Sequence, residues 1–174
     1  SAPEATLREV YANYLQTEGK TKARATLRKQ DSMWDNHIEP KFGDRTVNSI
    51  TIVELNDFLF DAYQKYSYMY VEGFLKFFYL LFGHADRMEV IDPMRYNRMF
   101  VSSGTRLTMP KKTQEDHQSD LEGATVYNAD ELAKIEKVFN TDSGNLLTAF
   151  YLGLYCGLRI SECFALRWRN VDFI

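Results

Sequence analysis

From Leu146 to Leu158 the chain carries no charge, and then Arg159 appears inside the apolar pattern, in the string Gly157-Leu158-Arg159-Ile160-Ser161-Glu162. Phe164-Ala165-Leu166-Arg167-Trp168 and Val171-Asp172 follow. A guanidinium in such surroundings needs a partner or an anionic ligand, because desolvating an unpaired charge costs several kcal/mol. Glu162 stands one helical turn later, which leaves two readings. The two residues form a plain i,i+3 surface ion pair, or the guanidinium awaits an anion.

A second group of cations lies near the amino end. Lys20, Lys22, Arg24, Arg28 and Lys29 fall within ten residues that contain no acid. On a helix Arg24 and Arg28 share a face, with Lys20 or Lys22 nearby. That is a stripe suited to phosphates, or else an ordinary solvated helix face. Lys111 and Lys112 form a third, smaller group.

Helices must position these groups. Thr6-Leu7-Arg8-Glu9 is a capping box, after which Leu7, Val10, Tyr11, Tyr14 and Leu15 recur at helical spacing up to Gly19. A second helix is expected over about 21–37, broken by Pro40 and Gly43, and a second capping box, Thr51-Ile52-Val53-Glu54, opens a third through about Gln64. A long aromatic helix then runs from roughly Ser67 to Arg87. The first hundred residues read as a four-helix or five-helix bundle without strands. From Asp92-Pro93 the pattern degrades, and residues 102–125 have the composition of an exposed interdomain linker. Asn128-Ala129-Asp130-Glu131 caps the next helix, a further helix covers Leu146–Cys156, and a short one holds Arg159 to about Leu166. Trp168 to Phe173 reads as the lead into a strand.

The 174 residues, 45% of them hydrophobic, suffice for one real core or two small ones. The net charge of −3 does not advertise nucleic-acid binding, but its distribution is uneven. Residues 1–112 carry 16 Lys/Arg against 14 Asp/Glu, whereas 113–145 carry 2 against 8. Cys156 and Cys163 are expected as buried thiols of a reducing, cytoplasmic protein, and no histidine lies near enough in sequence to make a zinc site with them. No secretory signal is evident at the amino end, and the longest apolar stretch is too short to span a bilayer.

Four segments, in order, resemble the tyrosine site-specific recombinases, the phage-integrase family. His37-Ile38-Glu39-Pro40-Lys41-Phe42-Gly43-Asp44 with Ile50-Thr51 is similar to a stretch of that family's helical core-binding domain, and Asp92-Pro93 sits where these proteins usually have Asn-Pro. Tyr127-Asn128-Ala129-Asp130-Glu131 resembles the opening of the catalytic domain, and Gly157-Leu158-Arg159-Ile160-Ser161-Glu162 resembles its first arginine box. The resemblance implies an all-α stretch: a SAM-like core-binding domain over 1–101, a linker over 102–125, and over 126–174 the first helices of a mixed α+β catalytic domain.

The implied chemistry is DNA strand exchange through a 3′-phosphotyrosine, without metal or nucleotide cofactor. Arg159 would bind the non-bridging oxygens of the scissile phosphate, and Glu162 would hold Arg159 in place. The implied partners are duplex DNA at a recombination site and other recombinase protomers, in a bacterial or phage-encoded cytoplasmic protein with no membrane contact. Lys20, Lys22, Arg24, Arg28 and Lys29 are the first candidates for backbone contact, followed by Lys111 and Lys112 in the linker. His84-Ala85-Asp86-Arg87 looks like the family's second box but precedes Arg159, so it is read as coincidence. The hairpin lysine, the His-x-x-Arg box, the His/Trp position and the nucleophilic tyrosine would all follow Ile174. The chain is therefore expected to be a piece of a recombinase that does not cleave DNA by itself. The alternatives are a non-catalytic DNA-binding regulator that reuses the helical domain, and, on the acidic balance alone, a helical protein-interaction module.

Overall fold

The computed structural model describes residues 4–114, 126–141 and 145–172, and its regular structure there is helical. Among the described residues Thr6 and Thr46 make an isolated antiparallel bridge and no strand forms. The chain divides into two compact units, Ser1–Ser119 and Asp120–Ile174.

Side-chain caps start four helices of the first unit. Thr6 caps α1 (Leu7–Gln16): its Oγ1 accepts from the Glu9 N–H at 3.2 Å, and the Glu9 carboxylate accepts from the Thr6 N–H at 2.7 Å. Thr51 and Glu54 repeat the box at α4 (Ile52–Tyr63), and Ser67 caps α5 (Tyr68–Arg87). Between them α2 (Arg24–Met33) runs on through a π-helical turn at Trp34–Ile38 into α3 (Glu39–Phe42). The helix thus passes Pro40 instead of breaking there. The Glu39 N–H donates to the Trp34 carbonyl five residues back, and Pro40 falls in the first turn after this widened loop, where a missing N–H costs nothing. Gly43 does end it: a Cβ there would lie 2.7 Å from the Glu39 carbonyl oxygen.

α5 is the spine of the core. Val71, Phe74, Phe77, Phe78, Leu81, Phe82 and Ala85 recur at three- and four-residue spacing and are buried against α1, α3 and α4. Phe58 of α4 meets Phe74 and Phe78 edge-to-face at 5.2 and 5.4 Å, and Phe42 joins Phe58 at 5.8 Å. His84, buried in the same helix, explains the apparent His-x-x-Arg motif. Its Nδ1–H donates to Glu18 at 2.9 Å, its Nε2 lies 2.9 Å from Asn13 Oδ1, and Arg87 Nε donates to the same Glu18 oxygen at 2.8 Å. His84 and then Arg87 hold the Glu18 carboxyl below its ordinary range. The motif ties α5 to the end of α1.

Beyond α5 the order continues further than the sequence pattern suggested. Asp92 caps α6 (Pro93–Tyr96), which passes into a second π-helical turn at Asn97–Val101. Residues 102–114 are not a wholly exposed linker. Leu107 is buried, its N–H donates to the Met99 carbonyl at 2.7 Å, and its own carbonyl accepts from the Tyr79 hydroxyl at 2.9 Å. One or two apolar residues in an irregular stretch have no period by which to announce their burial. The remaining linker residues, 115–125, lie outside the described set.

The second unit contains α7 (Ala129–Thr141), α8 (Asn145–Cys156) and α9 (Ile160–Ala165). Asn128 and Glu131 cap α7 reciprocally, at 3.0 and 2.9 Å. Trp168–Asn170 is a 3-10 turn and Val171 after it is extended; no strand forms among the described residues of this lead, and Phe173 lies outside them. Of the two thiols expected to be buried, Cys163 is and Cys156, on the last turn of α8, is exposed.

Candidate nucleic-acid interface

The α1–α2 junction presents the first group of cations. α1 ends at Thr17, whose hydroxyl donates to the Asn13 carbonyl at 2.8 Å, and a 3-10 turn over Glu18–Thr21 carries Lys20 outward. Lys22 is extended, and α2 starts at Arg24 behind Ala23, which offers no side-chain cap. No acid occupies the first turn of α2, so its free N–H groups add to the positive potential of the side chains. α2 lies on the surface with Met33 as its fully buried residue, leaving Arg24, Arg28 and Lys29 exposed.

Ion pairing separates these cations from four others of the first unit. Arg8 is bound to Glu39 and Asp44, Arg45 to Glu54, Lys76 to Glu72 and Arg87 to Glu18. The two carboxylates beside Arg8 hold it more firmly protonated than usual, Asp44 foremost. Lys20, Lys22, Arg24, Arg28 and Lys29 make no ion pair among the described residues.

Lys111 and Lys112 are placed elsewhere. Lys111 is exposed, while Lys112 Nζ lies 4.6 Å from the ring centroid of Tyr68, at the first residue of α5. Glu18, beside Lys20, reaches His84 and Arg87 at the other end of that helix. The two groups therefore mark opposite ends of a 20-residue helix, about 30 Å long. His37 is packed rather than presented: Tyr66, Tyr70 and Phe74 surround its ring edge-to-face at 5.4, 6.1 and 5.1 Å, and Tyr70 Oη lies 3.3 Å from Nε2.

Arg159 differs from the buried group its apolar surroundings suggested. Its side chain is 84% exposed, and Nη1 reaches Glu162 Oε1 at only 3.4 Å. Gly157 is the reason. At φ +67° it ends α8 with a left-handed turn, so Arg159 becomes the residue before α9 instead of a member of an apolar helix face. The firmer tie is through the backbone, where Glu162 Oε2 accepts from the Arg159 N–H at 2.8 Å. Glu162 thereby fixes the Arg159 backbone and leaves most of the guanidinium in solvent.

One site escaped the sequence reading. A cavity of about 530 Å³ is lined by Thr51 and Asn56 of the α4 start and by Asp92, Arg95, Arg98 and Thr105. Arg95 Nη2 donates to the Ile50 carbonyl at 2.5 Å, while its Nε is buried without a hydrogen-bond partner. Leaving such a donor unsatisfied costs about 1–3 kcal/mol. The available signal was Asp92-Pro93 read as a helix start, which puts Arg95 and Arg98 one turn apart.

Residues 6–60 match the family model described as phage integrase, N-terminal SAM-like domain. This part of the chain, from α1 through most of α4, is a domain of that family. No curated protein and no solved structure matches the chain. No helix among the described residues is long and apolar enough to cross a membrane.

Proposed function

We propose that this chain is the duplex-binding part of a tyrosine recombinase: a helical domain over 1–101 that grips the DNA backbone, a connecting segment, and from about residue 126 the opening of the catalytic domain. The observation that carries the reading is the set of exposed, unpaired cations at Lys20, Lys22, Arg24, Arg28 and Lys29, lying within the integrase-type domain at an uncapped helix start. Phosphodiesters are the ligand that such a stripe suits, since each neutralised phosphate releases condensed counterions. Lys111 and Lys112 add a second contact at the far end of α5. The separation is comparable to one turn of B-DNA, roughly 34 Å.

In the same reading Arg159 is the arginine that holds the scissile phosphate, and Glu162 is its positioning residue. Their exposure supports this, because the guanidinium has donors to spare for an oxyanion. The parent recombinase would cleave and rejoin DNA through a phosphotyrosine, in the cytoplasm and with further protomers.

The variant K22A/R24A/R28A/K29A tests the placement of the grip. At low salt its affinity for a random duplex should fall at least about a hundredfold, since each lost phosphate contact removes close to one unit of salt-dependent log affinity. Unchanged affinity would remove α2 from the interface.

A further inference from the structure

We propose that the cavity between the start of α4 and α6 is a binding site for a phosphate oxyanion, held by Arg95 and Arg98. It rests on the DNA reading only for the source of the phosphate, because neither arginine belongs to the cation stripe assigned there.

Two arginines line one concave space, and one carboxylate lines it with them. The lining carboxylate is Asp92, and its Oδ1 is already engaged by the Arg95 N–H at 2.8 Å. The lining hydroxyls are also committed: Thr51 Oγ1 donates to Glu54 at 2.8 Å, and Thr105 Oγ1 to the Arg98 carbonyl at 2.6 Å. The donors left over are those an oxyanion needs. Arg98 is exposed, and its guanidinium makes no hydrogen bond or ion pair among the described residues. Arg95 uses one nitrogen on the Ile50 carbonyl, which fixes its orientation, and keeps Nη1 for a ligand, while its unpartnered Nε is buried. Asn56 adds a carboxamide at the rim.

Elsewhere in this unit, arginines that pack against the fold end on carboxylates, as Arg8, Arg45 and Arg87 do. Arg95 packs against the fold and ends on none. One guanidinium fixed in orientation, beside a second that is free to adjust, suits the tetrahedral oxygens of phosphate, and the cavity falls within the size range of small-molecule sites.

Side-chain Nε–H and backbone amide NMR signals of Arg95 and Arg98 are followed while inorganic phosphate, and separately a short duplex, is titrated into the protein. Both residues should shift saturably with phosphate. Arg98→Ala, which removes no contact of the fold, should weaken that response at least about tenfold, as loss of one charged fork would. Arg95→Lys, which keeps the charge but not the fork, should weaken it as well. A response to both ligands, or to the duplex alone, makes the source a nucleic-acid phosphodiester. On the duplex, Arg98→Ala then lowers the salt slope by about 0.9. A response to inorganic phosphate alone makes the source a free phosphorylated molecule. If neither ligand moves these signals, or if Arg98→Ala leaves the response unchanged, the site does not exist. K22A/R24A/R28A/K29A separates the two ideas, because losing duplex affinity there must leave the phosphate response of Arg95 and Arg98 intact.

Discussion

At the scale of the residue, Glu54 gathers more interactions than any sequence pattern announced. Arg45 donates to it through two nitrogens, and the Thr51 N–H and hydroxyl donate as well, which together hold its carboxyl down to about 2. A carboxyl lowered by folding stabilises the native state fully above its unfolded value, about 4.3, and loses that contribution as pH falls toward the folded value. Denaturant unfolding followed from pH 7 downward should therefore show stability falling between about pH 4.5 and 2. Glu54→Gln should flatten that fall, and an unchanged profile would deny Glu54 the role. The capping half of this was legible from Thr51-x-x-Glu54. The Arg45 half was not, because it depends on the turn that precedes α4. Arg159 shows the opposite limit. Its place at the start of a short helix after Gly157 could be read, but not its exposure, which Gly157 decides by a single positive φ. Arg159→Ala should accordingly change unfolding stability by less than about 0.5 kcal/mol. A larger loss would mean that the guanidinium holds the fold.

Among the elements, α5 carries the most. Phe78 is fully buried and meets both Phe42 and Phe58 edge-to-face, so Phe78→Ala should cost about 3–5 kcal/mol in chemical denaturation. A cost below about 1 kcal/mol would show that the core collapses into the space. The long aromatic run made α5 plain in the sequence, and the capping boxes located the starts of α1, α4 and α7. The continuous α2–α3 rod was not legible, since Pro40 normally stops a helix and only the π-helical turn before it removes the conflict. α6 was missed for a related reason. It is four residues long before its own π-helical turn, too short for a hydrophobic period to register, so the cation pair it positions went unread. Gly157→Ala should destabilise the α8–α9 turn by about 1 kcal/mol, read as faster amide exchange in α9, because an L side chain resists the left-handed region.

Across the whole molecule the two units differ in how much they bury. The first holds the aromatic core, while in the second Ala149 and Cys163 are the buried apolar residues among those described, and Tyr155, Ile160, Phe164 and Trp168 stand exposed. Hydrogen exchange should therefore show amides of α8 and α9 opening at far lower free energy than those of α1, α4 and α5. Equal protection would mean that the second unit draws stability from contacts other than its own core. The charge asymmetry between the halves was visible in the sequence, but which cations are already spent on carboxylates is a property of the folded chain. That distinction leads to the central claim of a phosphate-binding face at the α1–α2 junction. Duplex affinity of the unaltered chain, measured by fluorescence anisotropy across a salt series, tests it most directly. With about five phosphates contacted, log affinity should fall against log salt with a slope of roughly −4 to −5. A slope near zero, or no binding at low salt, would contradict it.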